Sequence, residues 1–222
     1  MADRQRTPKA PRRPQVRLPP LRAYEGGLEP DGDYDALELA GLDLTGADGS
    51  GARFLDCALR GVVLDAARLT GARFLDCVLE GIRATGAQVA DAVLRDTELR
   101  EARLGGVQLH GAVLERVVVR GGKADFLNLH GARLTDVVFE DCVLVEPDLR
   151  GARLTRVAFP GCSIRGADLT GAALRDVDLR GARELAVDRG LESMRGAVIT
   201  PEQLLDLAPA FAARAGVEVR GR

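Results

Sequence analysis

A five-residue register runs without a slip from Leu39 to Leu179. Every fifth residue in this range is a centre position, and 24 of the 29 centres are Leu, Phe or Ile. The residue two before the centre is Ala, Cys or Val in 22 of the 29 units. An α-helix would need a spacing near 3.6 residues and a strand a spacing of 2. A fixed short period instead predicts a solenoid, whose stacked coils bury side chains that one unit cannot bury alone.

Recurrences at a spacing of 20 residues set the size of one coil. The segment 51–57 reappears unchanged at 71–77, and His110 recurs as His130. Identical side chains gain most when they stack directly above each other in an in-register β array. Four units per coil therefore predict a four-sided coil with stacked inward side chains. The predicted core stacks are Phe54 on Phe74, Phe139 on Phe159, Cys57 on Cys77 and Cys142 on Cys162.

The repeat also resembles a known family. Segments such as Gly-Ala-Asp-Leu-Thr at 166–170 are similar to the Ala-(Asp/Asn)-Leu-x-x pattern of the pentapeptide-repeat family. The resemblance covers residues 37–183 and resumes at 196–200. It implies an all-β solenoid, a right-handed quadrilateral β-helix, of about seven to eight coils. The position before the centre departs from the family pattern, because it is often Arg or Val here.

Composition divides the chain into three parts. Residues 1–35 are predicted to form a disordered tail and lead-in, because the first 23 residues hold seven basic residues, one acid and five of the ten prolines. The β-helix is predicted over 36–200, with an irregular excursion at 184–195 where the repeat breaks. Residues 201–222 are predicted to form a C-terminal helix that acts as a cap.

The basic tail has two interpretations. It is either an arm for nucleic acid or an acidic partner, or a solvated tail without a role. Direct nucleic-acid binding is not expected of the rest of the chain. No run approaches 18 apolar residues, and no apolar segment of a secretory signal follows the first basic residues. These features predict a cytoplasmic protein with no membrane span.

The C-terminal segment carries helix signals. Thr200 is a predicted N-cap, with Pro201 at the first helical position and Gln203 completing a capping box. Pro209 is expected to kink the helix or divide it in two, and Gly216 is a natural stop. An apolar stripe would cover the open end of the solenoid. A similar module in gyrase-protecting members of the family implies that the stripe also forms a homodimer. The candidate dimer contacts are Leu204, Leu205, Ala208, Phe211 and Ala212.

Motifs for chemistry are not found in the sequence. There is no nucleophile–base pattern, phosphate-binding glycine loop or cofactor motif, so neither catalysis nor a cofactor is expected. The inward cysteines are expected to be buried reduced thiols, although a disulfide is conceivable between cysteines one coil apart. His110 and His130 share an outward column without Cys or carboxylate companions, which predicts an exposed pair rather than a metal site.

Outward positions form columns along the solenoid. Arginines and aspartates run side by side on the face that contains Phe54, so their charges largely cancel. An apolar column and a basic column are candidate contact surfaces, although β-propensity on a solvated face is the alternative for the apolar one. The candidate partner residues are Val78, Val118, Val138, Arg83, Arg103 and Lys123.

The resemblance implies two functions for a non-enzymatic interaction module. Some family members resemble B-DNA in width, shape and acidic surface, bind type II topoisomerases, and give antibiotic or toxin self-protection. DNA gyrase or topoisomerase IV is therefore a candidate partner. A DNA mimic should present a negative field. Residues 37–183 hold 21 acids and 19 bases, and this near balance argues against DNA mimicry. The alternative is a general structural scaffold or regulatory protein with an unrelated protein partner.

Overall fold

Strands of the chain stack in parallel at intervals of 20 residues in the computed structural model, which describes residues 7–220. Arg53–Leu55 lies beside Arg73–Leu75, and Val113–Arg120 lies beside Arg133–Glu140. Because equivalent residues of adjacent coils face each other, each repeat unit forms one side of a four-sided coil. The structure has about eight coils and one C-terminal helix, which confirms the predicted β-helix with a helical cap.

The strands belong to two parallel sheets that together cover three sides of the coil. The first sheet covers two sides and contains β1 (Arg22–Tyr24), β2 (Asp33–Asp35), β3 (Leu37–Ala40), β4 (Arg53–Leu55), β5 (Ala58–Arg60), β6 (Arg73–Leu75), β7 (Val78–Glu80), β9 (Val93–Arg100), β11 (Val113–Arg120), β13 (Arg133–Glu140), β15 (Arg153–Ala158), β17 (Ala173–Asp178) and β19 (Ala197–Val198). The second sheet contains β8 (Arg83–Thr85), β10 (Arg103–Gly105), β12 (Lys123–Asp125), β14 (Val143–Val145), β16 (Ser163–Asp168) and β18 (Glu184–Arg189). On the fourth side, isolated parallel β-bridges such as Gln88 to Gln108 connect adjacent coils.

Inward side chains fill the coil in vertical stacks. The rings of Phe54 and Phe74 have centroids 4.7 Å apart and an interplanar angle of 1°. Those of Phe139 and Phe159 are 5.1 Å apart at 3°. Tyr34 extends the first stack, with its ring centroid 4.7 Å from that of Phe54. The ring spacing follows the spacing of the coils, so a slip of one residue in the coil that carries Phe74 would turn its ring away from Phe54.

The corners of the coil need a left-handed backbone. Gly51 and Gly71 have φ of +73° and +71°, which glycine adopts without a steric penalty. Where the corner is not glycine, it is often aspartate, and Asp56 and Asp76 both have φ of +52°. The acidic column is therefore a column of corner residues, at the boundary between the two sides of the first sheet. Its members are Asp56, Asp76, Asp96, Asp136 and Asp176.

The backbone stays in the coil where the sequence repeat breaks. In the pairing of β16 with β18, Ser163 faces Glu184, a spacing of 21 residues, whereas Ala167 faces Val187, a spacing of 20. The offset of one residue is removed by register shifts within β18 and before β19, where a 3₁₀ helix spans Leu191–Met194. The pattern then resumes, because Ala197 in β19 lies beside the residue 20 positions earlier in β17.

Helix α1 (Pro201–Arg214) closes the C-terminal end of the coil. The Thr200 hydroxyl accepts a hydrogen bond from the Gln203 N–H at 3.1 Å, and the Thr200 N–H donates to Gln203 Oε1 at 2.9 Å. Gln203 Nε2 also donates to the carbonyls of Leu179 at 2.8 Å and Ala182 at 3.1 Å. One side chain therefore caps the helix and satisfies two carbonyls of the last coil.

The helix is not divided at Pro209, although the sequence made division one of two expectations. Residues 201–214 form one continuous α-helix with Pro209 inside it. Proline has no N–H to donate to the carbonyl four residues earlier, which belongs to Leu205. Leu205 is 73% exposed. The lost hydrogen bond lies on the side of the helix away from the coil, where a backbone carbonyl need not find a partner inside the protein.

Candidate interaction surfaces

The basic column lies on the outward side of the second sheet. Strands β8, β10 and β12 place Arg83 beside Arg103 and Arg103 beside Lys123. Arg83 pairs with Asp65 at 2.8 Å, and Lys123 pairs with Asp125 at 2.8 Å. Arg103 has no ion-pair partner within residues 7–220. The column therefore presents three exposed cations in register, two of them partly neutralised from the adjacent column.

The apolar column is buried, contrary to the solvent exposure expected from its outward position. Val78, Val118 and Val138 are only 7%, 5% and 3% exposed. They do not belong to the hydrophobic core cluster inside the coil, which contains their inward neighbours such as Val117 and Val137. We call Val78, Val118 and Val138 the valine column. Something other than the coil itself must cover this column.

Residues 7–20, which we call the N-terminal arm, contact the carboxylates on either side of Val138, those of Asp136 and Glu140. The Lys9 N–H donates to Asp176 Oδ1 at 3.3 Å, and the Arg12 N–H donates to Asp136 Oδ1 at 3.1 Å. The arm runs from the last coils towards the first and leads into β1, which pairs with β3.

The predicted tail has no regular secondary structure over residues 7–20, and three of its residues contact the coil. Residues 1–6 of the predicted tail lie outside the described part of the chain.

Carboxylates line the path of the arm. The Arg13 guanidinium donates to the Glu140 carboxylate, which also accepts from Arg120 at 2.9 Å. Burial acts to raise the pKa of Glu140, but the hydrogen bonds from Arg13 and Arg120 hold it below its ordinary value. Hydrogen bonds from Arg156 hold the pKa of Asp136 below its ordinary value against the effect of burial, and the Arg12 N–H adds to the lowering.

Three residues that the sequence analysis did not single out contribute to this contact. Pro8, Pro11 and Pro14 recur every three residues, which is the period of a polyproline II helix. Pro14 is buried, and Pro8 and Pro11 are half-buried, whereas Lys9 and Arg12 are exposed. This spacing was the available signal that one side of the segment lies against another surface.

Arginines form ion pairs with some aspartates of the acidic corner column. Asp96 pairs with Arg116 at 2.7 Å, and Asp136 pairs with Arg156 at 2.6 Å. Neighbouring acids remain adjacent at Asp76, whose pKa is raised by burial and by the charges of its acidic neighbours. A separate outward column on the first sheet is basic, and its members are Arg53, Arg73, Arg133 and Arg153. Acidic and basic side chains thus alternate over much of this surface.

Helix α1 leaves the candidate dimer contacts uncovered. Gln203 and Leu207 face the last coil and are buried. On the other side, Leu204 is 50% exposed and Phe211 36% exposed. Leu205 and Ala208 are also exposed, and Ala212 is half-buried. The single chain therefore carries an apolar helix side with no cover within the described residues.

The four cysteines lie inside the coil as free, buried thiols. The Cys57 thiol and then burial raise the pKa of Cys77, and the Cys162 thiol and then burial raise the pKa of Cys142. A thiol that resists ionisation is a poor nucleophile and metal ligand. This holds for Cys77 and Cys142, whereas hydrogen bonds from these two thiols hold the pKa of Cys57 and Cys162 below its ordinary value. All four are buried in the small inward position, which suits small apolar fillers.

Other features of the described residues do not converge on a site. His110 and His130 are exposed, and no group of three His, Cys, Asp or Glu within residues 7–220 is placed to hold a metal ion. Cavities inside the coil are apolar and hold only about 30 to 50 Å³ each. A cleft of about 630 Å³ between α1 and residues 187–192 is lined by both acids and bases. No helix in the described chain has the length and apolarity needed to cross a membrane.

Comparison with known proteins identifies the repeat and similar structures. The family described as Pentapeptide repeats matches in eight copies over residues 77–116, 126–159 and 148–183. Full-length QnrB1, described as a plasmid-mediated fluoroquinolone resistance protein, is 18% identical with a TM-score of 0.43, over 84% of this chain and 100% of that chain. HetL, described as a pentapeptide repeat protein involved in heterocyst differentiation regulation from the cyanobacterium Nostoc sp. strain PCC 7120, is 25% identical with a TM-score of 0.38, over 76% and 90%. The comparison with curated proteins gives no match.

The matched repeats agree with the register and the coil. Every matched segment lies inside the range over which the five-residue register is unbroken or just beyond it. The strands of these segments pair in parallel one coil apart. The chain therefore belongs to the pentapeptide-repeat family.

Proposed function

We propose that this protein is a non-enzymatic protein-interaction module that presents the outward side of its second sheet to a protein partner. The observation that carries this proposal is the exposed, in-register column of Arg83, Arg103 and Lys123. The N-terminal arm lies on the first sheet and leaves this side open. Pentapeptide-repeat proteins are generally interaction modules of this kind.

The fixed spacing of the basic column defines the chemistry of its partner. Adjacent strands hold the three cations about 4.8 Å apart along the rod. A partner with carboxylates at a similar spacing would meet a surface that needs little reordering on binding. Electrostatic complementarity of this kind mainly sets specificity and association rate.

Within this function, we propose DNA gyrase or topoisomerase IV as the first partner to test, with self-protection against an antibiotic or toxin as the role. Resemblance to gyrase-protecting family members supports this choice. The uncovered apolar side of α1 supports the homodimer that such members form. The mixed surface charge favours contact through a local patch over replacement of DNA along the whole rod.

A gyrase supercoiling assay tests the topoisomerase proposal. Purified protein at micromolar concentration is added with and without a quinolone, and supercoiled product is measured. We expect either inhibition of supercoiling or protection from the quinolone. No effect in either condition would contradict a topoisomerase partner and would leave the general scaffold or regulator with an unrelated partner.

Two matched triple variants test the surface. Arg83→Glu, Arg103→Glu and Lys123→Glu together reverse the basic column, and we expect this variant to lose its effect on gyrase. The control is Arg73→Glu, Arg133→Glu and Arg153→Glu, which reverses the three exposed arginines of the basic column on the first sheet that have no ion pair in the described chain. Equal loss in both variants would contradict the assignment of the contact to the second sheet.

A further inference from the structure

We infer that the valine column and the carboxylates beside it form a recognition groove for an extended, basic, proline-rich peptide. The N-terminal arm of the same chain occupies this groove. The groove lies on the first sheet and is independent of the basic column on the second sheet. It therefore adds a second interaction surface, and a built-in competitor for it, to the function proposed above.

The repeat of the arm matches the repeat of the coil. The N–H groups of Lys9 and Arg12, three residues apart, donate to Asp176 and Asp136, two coils apart. Two coils at the strand spacing measure about 9.6 Å. Three residues of polyproline II measure about 9.3 Å. A peptide in this conformation therefore meets an equivalent carboxylate once per turn without strain.

The prolines set the side of the arm that faces the groove. Pro8, Pro11 and Pro14 lie one per turn and are half-buried or buried. The residue after each of the first two prolines supplies the N–H that reaches a corner carboxylate, since proline itself has none. Proline also restricts the free peptide to extended conformations, which lowers the entropy lost on binding.

The arm stays extended over the whole valine column. Arg12 lies beside Asp136. Arg22 in β1 pairs with Leu37 in β3, one strand spacing beyond the first coil. These two points are about six coils, or ~29 Å, apart at the strand spacing. Ten residues cover that distance at about 2.9 Å each, close to an extended chain. The segment between them must therefore pass over the levels of Val118 and Val78.

Charge favours a basic occupant. The arm carries Lys9, Arg12, Arg13 and Arg17 and no acid within residues 7–20. The groove offers the carboxylates of Asp136, Glu140 and Asp176 along its length. The salt bridge from Arg13 to Glu140 is the side-chain counterpart of the two backbone contacts.

The arm is separable from the core of the coil. The valine column lies outside the hydrophobic core cluster, whose members face the interior. Displacing the arm would expose the column and the carboxylates but would leave the stacked rings and the strand pairing intact. A proline-rich segment of another protein would therefore compete with the arm for the same groove.

Competition within one chain can be measured with a labelled peptide. The probe is a fluorescein-labelled synthetic peptide of residues 7–20, added to the full chain in a polarisation assay. An attached segment has an effective concentration on the order of 1 mM, so the arm should block most binding of the probe to the natural chain. A full-chain variant with Arg12→Pro and Arg13→Glu loses the N–H donor and the ion pair while the strands remain unchanged. We expect it to bind the probe about tenfold more tightly or better.

The matched control is full-chain Ala10→Pro. Ala10 is exposed, and its N–H makes no hydrogen bond to a described residue. This variant should bind the probe as weakly as the natural chain does. Equal affinity for all three proteins, or no binding to the variant with the weakened arm, would overturn the inference.

Two further measurements separate recognition from alternatives. A probe with the same composition in scrambled order should bind the weakened variant at least about fivefold more weakly, and equal binding would reduce the groove to a site of charge attraction. Light scattering tests whether the arm in the groove belongs to the same chain or to a second copy. A dimer that persists in Phe211→Asp but is lost in the weakened variant would place the arm of a second copy in the groove and overturn occupancy within one chain.

Discussion

Val138 and Val143 occupy equivalent outward positions on adjacent sides of the coil, five residues apart. Val138 is buried at 3% exposed, whereas Val143 on the second sheet is half-buried. The two residues are identical, and both lie in parallel strands that pair with the next coil. The difference comes from the N-terminal arm, which covers one side and leaves the other open. An outward position in a repeat therefore does not establish a free surface.

The largest effect should come from the inward neighbour of the covered valine. Val137 is fully buried in the coil, between the equivalent valines of the adjacent coils. We expect Val137→Asp to lower the free energy of unfolding by about 3–5 kcal/mol, because a carboxylate would lack partners inside the stack. Urea denaturation measures this loss. A loss of unfolding free energy below about 1 kcal/mol would show that the coil core tolerates a charge. The inward Val137 would then be no more important for stability than the outward Val138.

The helix α1 is a second uncovered surface, and Phe211→Asp should have the next largest effect. Phe211 lies among exposed apolar side chains on the side of the helix away from the coil. We expect the variant to lose at least about 2 kcal/mol of association free energy, as for a residue at the centre of an interface. Light scattering should show a dimer for the natural chain and for the control Val219→Asp, but a monomer for Phe211→Asp. An unchanged mass would remove the helix from dimerisation.

A smaller loss is expected for the covered valine itself. Val138→Asp should lower the free energy of unfolding by about 1–2 kcal/mol, because it removes contacts of the arm but leaves the stack intact. Val143→Asp is the matched control on the open side, and its effect should stay within about 0.5 kcal/mol. Equal losses for the two variants would contradict the role of the arm in the comparison.

The smallest effect concerns the pH dependence of the arm contact. Hydrogen bonds from Arg156 and the Arg12 N–H lower the pKa of Asp136 in the folded chain. Its stabilising contribution is therefore complete above the ordinary value of about 3.9 and is lost as the pH falls through the lowered value. We expect the amide signal of Arg12 in NMR spectra to shift over this range. Asp136→Asn should abolish the shift.

The open fourth side supplies the control for that titration. The Arg150 side chain holds the pKa of Asp148 below its ordinary value, and Asp148 lies away from the arm. Asp148→Asn should leave the titration of the Arg12 amide unchanged. A titration that disappears in Asp148→Asn as well would show that the amide reports general acid unfolding and not the contact with Asp136.

The coil could be predicted from the sequence because its determinants are local and repeated. The 20-residue recurrence of Phe54 and Phe74 requires only that equivalent residues stack, and the structure has them stacked. The capping box of Thr200 and Gln203 is likewise a pattern within four residues. The continuous helix through Pro209 could not be predicted, because a proline in a helical pattern is compatible with either a kink or a break.

The burial of the outward valines could not be predicted for a different reason. It depends on a contact between residues more than 100 positions apart in the sequence, such as Arg12 and Asp136. The five-residue repeat carries no information about a segment that lies outside it. The period-three prolines indicate an extended conformation, but they do not indicate which surface that conformation meets. The roles of the basic column and of α1 in partner binding remain predictions.

The match between three residues of arm and two coils also limits how such a rod can change length during evolution. Duplication of one coil adds 20 residues and about 4.8 Å, which corresponds to half a turn of the arm. The contacts of Lys9 and Arg12 would then fall out of phase with the corner carboxylates. Duplication of two coils needs only one more proline-containing triplet to restore them. Homologous chains that keep this arm are therefore expected to differ in length by even numbers of coils.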